Sequence, residues 1–488
     1  MYKLLAVLFC ACLFPTQSFA QTKPKPKATK PSGPASCAAG QRRFLVQNNL
    51  ATDMWLGVTA GTLSCKTDSD CPTQAAGSCV GADPPNAGVC HCPTGNECGA
   101  LGQCSASNKM CYWNLPQMDT TQLHLQASTS AAVCFPAAGA TSGIQWSGSM
   151  YARTGCDSNG QNCQTGECGS AANQPCPTGQ GGNPPATTIE FTLSNFALTS
   201  NPDFYDISII NGVNVAASMS PVAKTFQATA KDPYSCGSPG SSNPSAPLSP
   251  CTWKIQPVVG KTDQSAFLAD VAPVSFSGKT CPVGLNGSAP KPNSLGFCPC
   301  TATSDCSSAG LACGLAMNAD ANIQFANVCG NKIGWWTADQ ICGASINTKS
   351  PFGVPFNCAS TVKNTDNSTS TYTNLYACTQ SAGAANKEQA QSCYTAGAAA
   401  DCCGCATSAQ ADHQDWPSVL GPSFGGPDHG CFNNNPNWVT YTQPWLVFLK
   451  KACPTAYTYP FDDATSTFTC QGSGKVGPQY QVTFFATQ

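Results

Sequence analysis

Residues 150–215 read MYARTGCDSNGQNCQTGECGSAANQPCPTGQGGNPPATTIEFTLSNFALTSNPDFYDISIINGVNV. The first half spaces Cys156, Cys163, Cys168 and Cys176 among turn-forming residues, and the second half changes to β-branched and aromatic runs that predict strands at Thr187–Leu193 and Tyr205–Ile210. Outward from it, Gln145–Ala152, Cys251–Ile255 and Tyr480–Phe485 are further strand candidates. The folded part opens at Arg43 with FLVQNNLATDMWLGV, which predicts two short strands joined by a turn at Asn-Asn. One helix is predicted, with Pro444 at its start, WLVFLKKAC on a helical period and Pro454 as its stop. Strands outnumber helices, so the fold class is mainly β and suits an antiparallel sandwich.

Composition sets the compartment. The chain has 488 residues, 34 of them Cys, 44 Gly, 38 Pro and only 10% charged. Residues 1–20 place Lys3 ahead of an apolar run and end on small residues at Ser18 and Ala20, the layout of a cleaved secretory signal. The 34 cysteines less Cys10 and Cys12 leave 32, enough for 16 disulfides in an oxidising compartment, and zinc ligation is the weaker reading. No later apolar run reaches the roughly 18 residues of a membrane span, so a soluble, secreted monomer is expected. A net charge of -2 without a basic stripe argues against nucleic acid. Lys23, Lys25, Lys27 and Lys30 alternate with prolines in residues 21–36, which read as an extended, solvated tether.

A repeat of small units interrupts the body. Cys65, Cys71, Cys79 and Cys90 follow the plan C-x5-C, a gap, C, a variable loop and C; Cys300, Cys306, Cys313 and Cys329 repeat it, as do Cys92, Cys98, Cys104 and Cys111. Each unit is too small for a core and needs about two internal disulfides. By exclusion Cys37 is expected to pair with Cys134, while the cysteines from Cys342 to Cys431 take no assignment.

The order ARTGC, C-x-TGECG, Pro-Pro followed by IEFTL, DFYDIS and the Asn211–Asn214 NGVN resembles the thaumatin-like proteins. FLKKACPTAYTYPFDDATSTFTC and YQVTFF match that family's closing segment in order. The resemblance covers about half of the chain. It implies a thaumatin-like antiparallel sandwich over residues 37–488 with a disulfide-rich loop and helix domain, interrupted by the cysteine-rich insertions 65–111 and 300–329. It also implies the disulfides Cys156 with Cys163, Cys168 with Cys176, Cys236 with Cys470, Cys251 with Cys453 and Cys281 with Cys298. A family disulfide joining the first and last strands is absent here, because its two places hold Leu50 and Phe485. Losing both together lets the contact close by apolar burial.

The resemblance further implies an acidic cleft lined by an arginine, a glutamate and three aspartates. By position the glutamate is Glu190, the first aspartate Asp206 and the last Asp462 rather than Asp463. The arginine falls on Ser149 and the remaining aspartate on Asn211. Glycoside hydrolysis ordinarily uses two carboxyl groups, and an amide at 211 binds a hydroxyl but takes no proton. Glu190 and Asp206 are the substitute catalytic pair. With no guanidinium nearby, the Glu190 pKa is expected to move up. The leading expectation is therefore binding of β-1,3-glucan or a similar cell-wall polysaccharide at Glu190, Asp206, Asn211 and Asp462, with antifungal or defensive use. The alternatives are a weak endo-β-1,3-glucanase, and a protein-binding module, such as an enzyme inhibitor, docking through the insertions. No cofactor or metal is expected; His413 and His429 beside Asp412, Asp415 and Asp428 read as polar surface. Asn286 and Asn367 stand in glycosylation sequons.

Overall fold

The structure, a computed structural model, describes residues 33, 36–80, 88–137, 143–229, 231–255, 269–282, 289–319, 321, 325–337, 361–363, 369–371, 379–380, 391–392, 443–459, 462–474 and 477–487. The leader, most of the tether, the cysteines from Cys342 to Cys431, His413, His429, Asn286 and Asn367 lie outside the described residues.

In chain order the first strands are β1 (Arg42–Asn49), β2 (Met54–Ala60), β3 (His124–Leu125), β4 (Ser130–Phe135), β5 (Ile144–Thr154), β6 (Thr188–Ser194), β7 (Asp203–Ser208), β8 (Ala216–Pro221) and β9 (Phe226–Gln227). Then β10 (Ala269–Pro273), β11 (Ala312–Met317) and β12 (Phe325–Trp335) close into a small barrel. Last come β13 (Ala456–Tyr457), β14 (Phe468–Gly472) and β15 (Tyr480–Phe485). One sheet runs β8-β15-β1-β4 and the other β9-β14-β7-β6-β5-β2-β3, with β13 beside β7.

Alternation builds the core between the sheets. On β1, Phe44 and Val46 face inward, and the Phe44 ring lies 4.7 Å from Phe135, 4.8 Å from Phe191 and 5.1 Å from Tyr480. Arg42 shares that inward face and is 2% exposed. Its Nη2 donates to Asp203 of the opposite sheet, and its Nε donates to the Pro478 carbonyl at 2.8 Å. Asp203 also accepts from Tyr480 Oη and from the Ser194 amide, both at 2.7 Å.

The sandwich departs from the antiparallel expectation at its closing pair. β1 and β15 run parallel, with Asn49 opposite Phe485, because strands so far apart in sequence need no hairpin between them. Leu50 is buried, and Phe485 packs against the same core. The predicted strand Cys251–Ile255 does not form. Its Trp253 has a φ of 55° and donates its amide to Ala452 at 2.9 Å, and a disulfide ties Cys251 to Cys453 beside the end of the helix Gln443–Ala452. That tether bends the segment away from an extended backbone.

The cross-links fall into two groups. Cys236–Cys470 and Cys251–Cys453 span 234 and 202 residues, while Cys156–Cys163, Cys168–Cys176 and Cys281–Cys298 close local loops, and Cys37–Cys134 ties the start of the body to β4. All three small units share one pairing, first cysteine to third and second to fourth: Cys65–Cys79 with Cys71–Cys90, Cys92–Cys104 with Cys98–Cys111, and Cys300–Cys313 with Cys306–Cys329. An acid immediately before each second cysteine binds the loop's own amides. Asp70 accepts from Lys66 and Thr67, Glu97 from Thr94, Gly95 and Asn96, and Asp305 from Thr301 and Ala302. The third unit does not end at Cys329, since Cys313 and Cys329 stand opposite each other on β11 and β12 of the barrel.

Two outcomes follow. Asp203→Ala leaves Arg42 buried without its counter-charge and should cost about 3–5 kcal/mol; an unchanged denaturant midpoint would overturn that role. Hydrogen bonds from the Thr94 hydroxyl and the loop amides hold Glu97 down to about 2 from its ordinary 4.5. Its contribution is present above the ordinary value and is lost as pH falls toward about 2. Hydrogen exchange at Thr94, Gly95 and Asn96 should therefore lose protection over that interval. In Glu97→Gln the protection should already be lost near neutral pH, and retained protection there would refute the capping role.

Candidate functional site

Four strands bring one row of polar groups together. Thr59 on β2 stands opposite Ser149 on β5, Ser149 opposite Glu190 on β6, and Glu190 opposite Asp206 on β7. The strand period of two decides which way they face. Ile189, Phe191, Leu193, Tyr205 and Ile207 are buried between the sheets, so Glu190, Thr192, Phe204 and Asp206 emerge on the other side. The neighbouring row holds Ser147, Thr192 and Phe204, with 2.9 Å between the hydroxyls of Ser147 and Thr192. Together they line a cleft of about 410 Å³ whose far wall reaches Gly61, where the first cysteine-rich unit departs. Gly148 lies between the two serines with a φ of 151°, and a Cβ there would fall 2.2 Å from the Thr59 carbonyl. Glycine is what lets β5 run this close to β2.

Burial pushes the Glu190 carboxyl up, and the Thr188 hydroxyl opposes the shift. The upward direction is the one expected from the missing guanidinium, but desolvation is its leading cause. Two carboxyl groups directly opposite on neighbouring strands have Cβ atoms about 4.5–5.5 Å apart. Register sets the two carboxyl groups side by side, and the one whose proton affinity burial raises is Glu190.

The other two expected cleft residues lie elsewhere. Asn211 is exposed in the turn beyond β7, where the Gly212 amide donates to Ile209 at 3.1 Å, and it does not line the cleft. Asp462 is 1% exposed. It pairs with the buried Lys450 of the helix at 2.7 Å and accepts from Thr458 and Thr465, so its carboxylate is consumed internally. Burial pushes Asp462 up and Lys450 down, each opposed by the charge of the other. Residues the expectation missed are Thr59, Ser147, Thr192 and, above all, Phe204, which is 45% exposed beside the acids. Its place two residues before Asp206 in DFYDIS was the available signal, since positions i and i+2 of a strand share a face.

The Thaumatin family model matches residues 113–419 and 423–486. Thaumatin-like protein 1b of Malus domestica is 34% identical over 124 residues, covering 25% of this chain and 51% of that protein. A glucan endo-1,3-beta-glucosidase of Prunus avium is 34% identical over 113 residues, covering 22% of this chain and 41% of that protein. The chain thus spans about half the length, or less, of these curated relatives. A solved thaumatin-like xylanase inhibitor is 17% identical, with a TM-score of 0.18, and is matched over 36% of this chain and 74% of its own.

A raised carboxyl makes a signed prediction. The folded Glu190 pKa stands above its ordinary 4.5, so the stability it costs is absent below that value and grows as pH rises through it. Glu190→Gln should melt with the natural protein at about pH 4 and above it at pH 7, as read by circular dichroism. A variant that melts lower at pH 7 would mean that the carboxylate is stabilised where it stands.

Proposed function

Because this chain belongs to the thaumatin family, we propose that it is an exported binding protein for β-1,3-glucan or a similar neutral cell-wall polysaccharide, held in the cleft of Glu190, Asp206 and Phe204, with antifungal or defensive use. The observation that carries this reading is the exposed ring of Phe204 beside two facing carboxyl groups and the hydroxyls of Thr59, Ser147, Ser149 and Thr192. A pyranose presents an apolar face of C–H groups and an equatorial rim of hydroxyls. The ring offers apolar area to the former, while Glu190, Asp206, Ser147, Thr59 and Thr192 offer donors and acceptors to the latter. A ligand cleft mixing apolar surface with a few fixed polar groups is the ordinary form of a small-molecule site.

Hydrolysis is the second reading, favoured by the register of Glu190 against Asp206. Directly opposed residues place two carboxyl groups side by side on one face, as a pair of carboxyl groups flanking a scissile bond requires. In that chemistry Glu190, whose proton affinity burial raises, donates to the leaving oxygen while Asp206 attacks the anomeric carbon. Water then hydrolyses the glycosyl ester, and Glu190 takes its proton.

Sedimentation with insoluble β-1,3-glucan tests binding. Phe204→Ala should weaken retention about tenfold or more, consistent with roughly 1.5–3 kcal/mol for a buried Phe side chain. The Glu190→Ala, Asp206→Ala double variant should weaken it at least as far. Equal retention of all three proteins would remove the cleft as the binding site. Release of reducing ends from laminarin, lost in Glu190→Gln, would establish the hydrolase.

A further inference from the structure

A second concavity lies away from the cleft, where the paired cysteine-rich units rejoin the sandwich. It encloses about 630 Å³, more than the cleft itself. One wall is the Cys37–Cys134 disulfide with Gln41 just ahead of β1 and Pro136 just after β4. The facing wall is Asn114, Leu115 and Gln117, which leave the second unit, with Gln103 from that unit's strand Gly102–Cys104.

Among the described residues no ionisable side chain lines this groove, whereas four carboxamides do: Gln41, Gln103, Asn114 and Gln117. Among the described residues, hydrogen bonds fix three of them by one end. Oε1 of Gln41 accepts from the Ala38 amide at 3.1 Å, and Oε1 of Gln103 accepts from the Thr178 hydroxyl at 2.8 Å. Nδ2 of Asn114 donates to the Ala100 carbonyl at 2.7 Å. What remains is two NH2 groups and one carbonyl oxygen, held in place by those bonds. The Asn114 backbone is pinned as well, its N–H donating to Leu101 at 3.1 Å and its carbonyl accepting from the buried Trp146 indole at 2.9 Å.

An ion entering here would lose hydration and meet no counter-charge. A neutral polyol would meet donors, an acceptor and the apolar sides of Leu115 and Pro136. Its size falls within the roughly 300–1,000 Å³ of ordinary ligand sites, and polar groups oriented beforehand reduce the entropy lost on binding. We propose that this groove is a binding site for a neutral oligosaccharide, separate from the Glu190 and Asp206 cleft. Two sites on one body engage a repeating polymer with higher avidity than either alone.

The test uses the full chain carrying Glu190→Ala and Asp206→Ala, titrated calorimetrically with laminarihexaose, cellohexaose and xylohexaose as separate probes. At least one should bind. Adding Gln103→Leu and Asn114→Leu should weaken it about tenfold, the loss of two hydrogen bonds at roughly 0.5–1.5 kcal/mol each. If those substitutions disturb folding, Gln117→Trp, at an exposed position, fills the groove and should abolish binding. No binding of any probe to the cleft-deficient chain, or affinity unchanged by Gln117→Trp, overturns the proposal. The cleft reading fails separately, by undiminished retention of the Glu190→Ala, Asp206→Ala chain on insoluble glucan after the groove is filled.

Discussion

A guanidinium in a protein interior must be met by a counter-charge and by acceptors for its remaining protons. Arg42 meets both demands only when β1, β7 and the approach to β15 are in place together, because its partners are Asp203 and the Pro478 carbonyl. Tyr480 and the Ser194 amide complete the shell around Asp203. Hydrophobic burial alone tolerates some sliding of one sheet over the other, whereas a guanidinium bonded at once to a carboxylate and to two carbonyls does not. The aromatic cluster around Phe44 fills the space, and the ion pair fixes its register.

The cleft inherits that register. Asp203 begins β7, so pinning it fixes the phase of the strand that carries Phe204 and Asp206 three residues later. Glu190 is fixed in turn by its pairing with β7. The backbone ladder holds the two carboxyl groups side by side, and burial at that place raises the proton affinity of Glu190.

How much of this could be read from the chain depended on what periodicity encodes. The clean alternation of Tyr480–Phe485 marks the strand's bounds, and the same alternation in DFYDIS puts Phe204 on the face of Asp206. Arg42 was not read as a core residue, since a charge at a strand start ordinarily faces water and only its distant partner reverses that. Alternation assigns faces and says nothing of neighbours, so the parallel pairing of β1 with β15 was hidden. Family position carried Glu190 and Asp206 to one cleft. It misled at Asp462, where Lys450 claims the carboxylate, and at Asn211, which the turn after β7 turns aside. The shared pairing of the small units was invisible in their spacing, which allows three connectivities for any four cysteines.

The parallel neighbourhood of β1 and β15 also sets a timetable. β15 lies between β1 and β8, so that sheet stays split until residues 480–485 have been made. The Cys236–Cys470 and Cys251–Cys453 bridges likewise wait for Cys470 and Cys453, shortly before it. The small units need no such delay, as their loops close over 12 to 23 residues and short loops close at low entropic cost. Contacts this distant in sequence make folding slow. A nascent chain thus carries finished cysteine-rich beads along an open sheet, with the edge of β1 exposed to any passing strand until residues 480–485 arrive.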